Sequence, residues 1–143
     1  MIRMVLYTNV VVSAYLNQDG PTFRVLKLAL AGLVGLYVSQ PILAEYKELL
    51  LRKSYPLDKR RAALFLAAIH SASTIVKPAS GLLLTLPDPD DAMFLECAQT
   101  AKADFLVTGN TKHFPPKWKL TRRITPAAFL ATWYASHAKG SLP

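Results

Sequence analysis

The carboxylate of Glu45 lies where an apolar side chain would be expected. The predicted helix 41–53 carries an apolar stripe of Ile42, Tyr46 and Leu49, and Glu45 follows Ile42 by three residues, on the same inward face. An unpaired carboxylate on such a face is costly to bury. Glu45 is therefore either a half-exposed residue at the boundary of the core or a ligand of a cation, and the ligand explains its position better.

Asp91 shows the same pattern at the start of the predicted helix 91–102. Phe94, Leu95 and Ala98 follow it at three, four and seven residues, so the acid extends the core-facing stripe of this helix. A first-turn acid commonly caps its helix and complements the helix dipole, and that role alone would explain Asp91. The neighbouring residues favour a second role.

Two further acids, Asp88 and Asp90, lie just before Asp91 in the sequence. Three carboxylates this close together repel one another unless a cation or a basic partner compensates their charge. Oxygen ligands without sulfur or nitrogen suit Mg²⁺ or Mn²⁺ better than Zn²⁺. The sequence thus predicts a magnesium or manganese site with Glu45 and Asp91 among its ligands.

The elements that would position these acids alternate between short apolar runs and helical patterns. Predicted strands cover 4–7, 36–38, 74–76, 104–108 and a short segment ending at Ile124; predicted helices cover 9–16, 22–31, 41–53, 57–70, 91–102 and a last segment after Thr125-Pro126. This alternation favours a parallel sheet with right-handed crossovers and helices on both faces. We expect an α/β fold, a three-layer α/β/α sandwich with a central parallel sheet, formed by one domain over residues 1–143.

Polar residues follow two of these strands at the edge where a parallel sheet binds its ligands. The first strand is followed by Tyr7, Thr8 and Asn9, and the 104–108 strand by Thr108, Gly109 and Asn110. Asp104 begins its strand, about 13 Å from this edge, and is interpreted as a structural residue.

The charge of the chain favours an acidic partner, with RNA or DNA as the first candidate. Lys and Arg number 17 against 9 Asp and Glu, which gives a net charge of +8 and an isoelectric point of about 9.8. Clustered cations with interleaved aromatic rings are typical of phosphate neutralisation and base stacking. The clusters are Arg52-Lys53, Lys59-Arg60-Arg61, Lys112-Lys117-Lys119 and Arg122-Arg123, with Tyr55, Phe114 and Trp118 between them.

Composition bounds the remaining classes. An apolar fraction of 52% is typical of a globular protein. No apolar stretch reaches the ~18 residues of a membrane span, and the apolar N-terminus lacks a cleavage site, so we interpret it as a core strand and not a signal peptide. The single Cys97 suits a reducing compartment, and a cytoplasmic location is expected.

Several segments together resemble PIN-domain ribonucleases. The opening Met4-Val5-Leu6-Tyr7-Thr8-Asn9, the segment Asp88-Pro89-Asp90-Asp91-Ala92, the segment Ala103-Asp104-Phe105-Leu106-Val107-Thr108-Gly109-Asn110 and the closing Arg123-Ile124-Thr125-Pro126 carry the likeness. The VapC-like subgroup, the toxin half of toxin–antitoxin pairs, is the most similar. The resemblance implies a metal-dependent endoribonuclease that hydrolyses RNA with Mg²⁺ or Mn²⁺, a cognate antitoxin as partner, and, by analogy, a homodimer.

The resemblance also implies a set of site residues. The acidic site would consist of Tyr7, Glu45, Asp91 and Asn110, with Glu45 and Asp91 as metal ligands. Thr8, Asn9 and Thr108 would orient the acids and a bound water by hydrogen bonding. His113 follows Lys112 in a loop and is interpreted as a solvated surface group, while His70 and His137 show no ligand-like spacing.

Tyr7 is the departure from the family pattern, which has Asp at this position. A neutral phenol offers one weak oxygen where a carboxylate is expected, so the Tyr7 form is expected to bind metal weakly and to be inactive. Either the chain is a natural pseudo-nuclease or it is an inactivated variant of an active toxin, and the otherwise complete motif favours the variant. Tyr7→Asp would then restore cleavage.

Two readings from other classes stay open. The first is a non-catalytic PIN-fold protein that binds RNA or an antitoxin without cleaving. The second is a flavodoxin-like nucleotide-binding domain, which is the weaker of the two because no glycine-rich phosphate loop follows the first strand.

Overall fold

A mostly parallel six-stranded sheet forms the centre of the computed structural model, which describes residues 1–53, 58–78 and 89–140. The strands are β1 (Arg3–Leu6), β2 (Gly35–Val38), β3 (Ser73–Ile75), β4 (Phe105–Val107), β5 (Lys117–Trp118) and β6 (Thr121–Ile124). The helices are α1 (Thr8–Leu16), α2 (Pro21–Leu30), α3 (Gln40–Lys53), α4 (Lys59–Ala72), α5 (Ala92–Ala101) and α6 (Pro126–Gly140), with 3-10 turns at Pro89–Asp91 and Thr111–His113.

The strand order is β3-β2-β1-β4-β6-β5. All neighbours are parallel except β5, which pairs with β6 in antiparallel direction. Helices cover the sheet on both faces, so the predicted three-layer α/β/α sandwich is confirmed. The antiparallel β5 was not predicted, because a two-residue strand that ends in a basic turn has no apolar periodicity.

The central strands are buried on both sides. Met4, Val5 and Leu6 of β1 are fully enclosed, and so are Leu36 and Val38 of β2. Strands with both faces covered by helices read as continuous apolar runs, which is why their positions could be predicted from the sequence. This arrangement brings the end of β1 to the middle of the carboxyl edge, between β2 and β4.

A buried phenol fixes α3 against that edge. Tyr46 is fully buried and its hydroxyl donates a hydrogen bond to the carbonyl oxygen of Leu6, the last residue of β1. Burial raises the pKa of Tyr46 well above its ordinary value, with smaller contributions from Cys97 and Glu45. The bond sets the height of α3 along β1, and the preceding residue of the helix, Glu45, is thereby held beside the start of α1.

Asp104 has the structural role expected of it. It lies just before β4, at the amino end of the strand, and one carboxylate oxygen accepts the backbone N–H of Arg3 at 2.8 Å.

The fourth helix begins at Lys59 instead of residue 57, because the Asp58 side chain caps it by accepting the N–H of Arg61. Among the described residues, no helix is long and apolar enough to cross a membrane.

Candidate active site

Three polar side chains from distant parts of the chain meet at the carboxyl edge of the sheet. The Tyr7 hydroxyl donates a hydrogen bond to Asp91 Oδ1 at 2.7 Å. The Nδ1 atom of His113 lies 2.8 Å from Asp91 Oδ2 and 3.3 Å from the Tyr7 hydroxyl. Both carboxylate oxygens of Asp91 therefore have a partner from the protein itself. We call this cluster the Tyr7–Asp91–His113 network.

Tyr7 reaches Asp91 because its backbone is fixed at the end of β1. Its N–H donates to the carbonyl oxygen of Val107 at 2.9 Å, and its extended conformation precedes the first turn of α1. The ring lies edge-on to Phe94 and Phe114, with centroids 4.9 and 5.1 Å away. Such aromatic pairs contribute more stability than the burial of their surface alone. The phenol is therefore held by ring packing as well as by the hydrogen bond of its hydroxyl.

Asp91 is almost fully enclosed, with 3% of its surface exposed. It occupies the cap position of α5, yet its side chain caps no backbone N–H of that helix. The ordinary first-turn role is therefore not realised. The carboxylate is turned towards Tyr7 and His113 instead, and a buried carboxylate requires such partners.

Glu45 is half-buried and faces the start of α1. The hydroxyl of Thr8, itself buried, donates a hydrogen bond to one Glu45 carboxylate oxygen. Burial raises the pKa of Glu45 above its ordinary value; the Thr8 bond lowers it in part, and the charges of Asp91, Asp90 and Glu48 raise it further. The charge of Asp91 acts on Glu45, so the two carboxylates lie within electrostatic reach of each other.

Glu45→Gln should raise the free energy of unfolding at neutral pH and leave it unchanged in acid. The folded protein holds the Glu45 proton more tightly than the unfolded chain, so stability falls as pH rises through the ordinary value of 4.5 and towards the raised folded pKa. A neutral amide removes that loss while still accepting the Thr8 hydroxyl. Chemical unfolding across pH measures it.

Glu48→Gln is the matched control, because Glu48 is exposed and forms only a surface pair with Arg52 at 3.2 Å. Its effect on stability should be small at every pH. If both variants changed stability equally at all pH values, the burial of the Glu45 charge would not be the cause.

The remaining predicted residues organise the adjacent loop. Thr108 is fully buried, and its hydroxyl accepts the N–H of Asn110 at 3.0 Å. The side-chain oxygen of Asn9 accepts the N–H of Gly109 at 3.5 Å, which joins the start of α1 to this loop. Asn110 is exposed and directly precedes the turn Thr111–His113. These contacts position the loop that carries His113.

Two interpretations from the sequence are wrong. His113 is not a solvated surface group: a third of its side chain is exposed, and its ring contacts both Asp91 and Tyr7. Phe114 is not an exposed stacking ring but a core residue, 3% exposed. Nothing in the local sequence distinguishes this histidine from a solvated surface residue. Tyr55 and Asp88 lie outside the described residues.

These side chains do not fit a divalent cation site as they stand. Within residues 1–53, 58–78 and 89–140, no three His, Cys, Asp or Glu side chains are grouped so that they could hold a metal. The hydroxyl of Tyr7 and the ring of His113 take both oxygens of Asp91. A hard cation needs several oxygen ligands, and a neutral phenol stands where the predicted site would need a carboxylate, so a cation would have to compete with Tyr7 and His113 for Asp91.

The surrounding surface contains two open grooves that share Glu45. One, of about 540 Å³, runs between α3 and the start of α5 and is lined by the acids Glu45, Glu48, Asp90 and Glu96. The other, of about 450 Å³, runs between α1 and α3 and includes Tyr7, Val12, Leu16 and Leu49. The first is acidic and the second largely apolar, so the two would accept different partners.

Comparisons with known proteins agree with this fold. Residues 3–112 match the family described as PIN domain. A solved structure of VapBC2 from Rickettsia felis, bound to a DNA fragment from its promoter, superimposes with a TM-score of 0.61 at 20% identity, covering 87% of this chain and 98% of that one. No curated protein matches the sequence significantly. The family match spans most of the chain, which therefore belongs to the PIN domain family.

Proposed function

We propose that this chain is a PIN-domain protein of the toxin–antitoxin endoribonuclease type whose metal-dependent RNA cleavage is disabled by Tyr7. PIN domains are generally nucleases that use divalent metals. The observation that carries the proposal is the hydrogen bond of 2.7 Å from the Tyr7 hydroxyl to Asp91 Oδ1. A carboxylate at position 7 would add a ligand beside Asp91 and Glu45; the phenol instead occupies one.

A second candidate follows from how well the phenol fits. The Tyr7 ring packs edge-on against Phe94 and Phe114, and its hydroxyl has a buried acceptor. A substitution retained only for loss of activity has no need of such partners. This packing favours a natural non-catalytic PIN protein that binds RNA or an antitoxin, over an inactivated variant of an active toxin. The two candidates differ in the expected stability of Tyr7→Asp: a natural non-catalytic protein should lose stability with the phenol ring.

The proposed acidic partner is RNA, bound through the basic surface. The net charge of +8 would differ by only one unit with Asp at position 7, so binding should survive the loss of cleavage. Between about 50 and 200 mM salt, affinity should fall by orders of magnitude if several phosphates are neutralised. Fluorescence anisotropy with a labelled RNA, in a salt series, measures this. An affinity that stays constant across that range would contradict electrostatic RNA binding.

The proposed protein partner is a cognate antitoxin in the same cytoplasm. The groove between α1 and α3 borders Tyr7 and presents apolar side chains, among them Leu16, which is 56% exposed. An exposed apolar groove beside a polar site is the usual surface for a helical or extended partner segment. The solved VapBC2 neighbour is itself such a two-component complex by its description.

A further inference from the structure

The antiparallel hairpin of β5 and β6 presents a group of cations at one edge of the sheet. Lys117, Lys119 and Arg122 are all exposed, as is Leu120 in the turn between the strands. Lys119 has a positive φ of 55°, and its Nζ lies 5.4 Å from the centroid of the Trp118 ring. We call Lys117–Arg122 the edge hairpin.

The cations of the edge hairpin oppose one another. Lys117 stands directly across from Arg122 in the antiparallel register, and like charges in such pairs are destabilising. In the part of the chain that the structure describes, the ion pairs are Glu48–Arg52 and His113–Asp91, and neither involves the hairpin. The nearby Asp104 carboxylate accepts the N–H of Arg3. Among the described residues, no cation of the hairpin therefore takes part in an ion pair.

Protection of a sheet edge explains only part of this arrangement. Lysine on an edge strand blocks edge-to-edge aggregation, and Lys117 on β5 serves that purpose. It does not account for Arg122 on the inner strand or for Lys119 over an aromatic ring. Trp118 is also oriented: its indole N–H donates to Gln99 Oε1 at 3.2 Å, while the ring remains partly exposed.

The hairpin is joined to the active-site loop by one side chain. A guanidinium nitrogen of Arg123 donates to the carbonyl oxygens of Thr111 and Phe114, at 2.5 and 2.6 Å. These carbonyls flank His113, so β6 is anchored to the loop that carries His113, and the hairpin runs along the sheet edge from this loop to the turn at the amino end of β6.

We propose that the edge hairpin is a contact surface for single-stranded RNA, in which Lys117, Lys119 and Arg122 neutralise phosphates and Trp118 stacks on a base. Cations and an oriented aromatic ring are the elements of sequence-tolerant single-strand binding. Lys119 lies at the Trp118 ring, while Lys117 and Arg122 project from the other face of the hairpin, so an RNA strand that follows the sheet edge would contact both. The inference rests on the proposed RNA binding and assigns it to a surface. It adds a site outside the cleft that contains Glu45 and Asp91.

The test compares the salt dependence of binding between two charge-matched variants. One is Lys117→Gln/Lys119→Asn/Arg122→Gln, with Asn chosen because it tolerates positive φ. The control is Arg24→Gln/Lys27→Gln/Lys47→Gln, three exposed cations on α2 and α3. Binding is measured with a labelled oligouridine of about 12 nucleotides. The slope of log affinity against log salt is negative, and its magnitude should decrease by about 2 for the hairpin variant, since each lost phosphate contact contributes about 0.7. The control should keep the slope.

The outcomes separate this inference from the proposed function. If the unmodified chain bound no RNA, both would fail together. If it bound RNA and the hairpin variant kept the full slope, the hairpin would be excluded while RNA binding stood. Relief of the Lys117–Arg122 repulsion should leave the hairpin variant at least as stable as the original.

Fluorescence gives a second readout that does not depend on that variant folding. Trp118 and Trp133 are the two tryptophans, so the single change Trp133→Phe leaves Trp118 as the reporter. Adding the oligouridine should quench its emission through stacking. Emission unchanged at saturating RNA would overturn the assignment of Trp118.

Discussion

Tyr7→Asp is expected to convert the chain into a metal-dependent ribonuclease. The change removes the hydroxyl that takes Asp91 Oδ1 and places a third carboxylate beside Asp91 and Glu45. Loss of metal assistance forfeits several kcal/mol of transition-state stabilisation, so the restored form should cleave faster by several orders of magnitude. Cleavage of RNA by both forms, with Mg²⁺ or Mn²⁺ and with a chelator, measures the difference.

Tyr7→Asn is the matched control, because it removes the phenol without adding a charge. It should stay nearly inactive, as should the double change Tyr7→Asp/Asp91→Asn. Without its antitoxin, the Tyr7→Asp form should also slow growth of its host. If the Tyr7 chain cleaved as fast as Tyr7→Asp, position 7 would be wrongly assigned. If neither cleaved with any divalent metal, the non-catalytic candidate would be favoured.

Tyr7→Asp should lower the stability of the fold although it should raise the activity. In the absence of metal, Tyr7→Asp should lower the free energy of unfolding by about 3 kcal/mol, near the lower end for loss of a large aromatic side chain, because the ring packs on Phe94 and Phe114. The new carboxylate also repels Asp91. Tyr7→Phe keeps the ring and should lower the free energy of unfolding by about 1.5–3 kcal/mol, the contribution of a hydrogen bond to a charged acceptor.

Divalent metal should recover part of the loss in Tyr7→Asp. Binding to the folded state alone adds about 2.7 kcal/mol when the metal is at a hundred times its dissociation constant. Neither Tyr7 nor Tyr7→Phe should gain in this way. Urea unfolding with and without Mn²⁺ gives these values. A Tyr7→Asp form as stable as the original without metal would show that the ring packing contributes little, which would weaken the natural pseudo-nuclease candidate.

The sequence predicted those parts of the site that depend on local periodicity. Glu45 and Asp91 each continue an apolar helical stripe, and both lie at the sheet edge, partly or fully buried. Asp104 was separated from them because it was predicted to begin its strand, and its carboxylate accepts the N–H of Arg3 at the opposite end of β1. In a parallel sheet, the first residues of all strands lie at one edge and the last residues at the other. The place of a residue within its strand therefore predicts from the sequence at which edge it lies.

What the sequence did not predict depends on long-range contacts. Tyr7 and Asp91 are 84 residues apart and Tyr7 and His113 are 106 apart, so no local pattern relates them. His113 and Phe114 follow each other in a polar loop, where a surface histidine and an exposed ring are the usual expectation. The loop folds inwards because Arg123 takes its carbonyl oxygens, and that contact exists only once β6 is in place.

Mn²⁺ binding tests whether Tyr7 blocks a cation site, when it is measured by titration calorimetry for the Tyr7 chain and for Tyr7→Asp under the same conditions. In the Tyr7 chain, the phenol hydroxyl and His113 contact both oxygens of Asp91, so a cation would have to displace them. We expect saturable Mn²⁺ binding for Tyr7→Asp, and none for the Tyr7 chain in the same concentration range. Equal affinity in the two forms would contradict it, because the phenol would then have displaced no ligand.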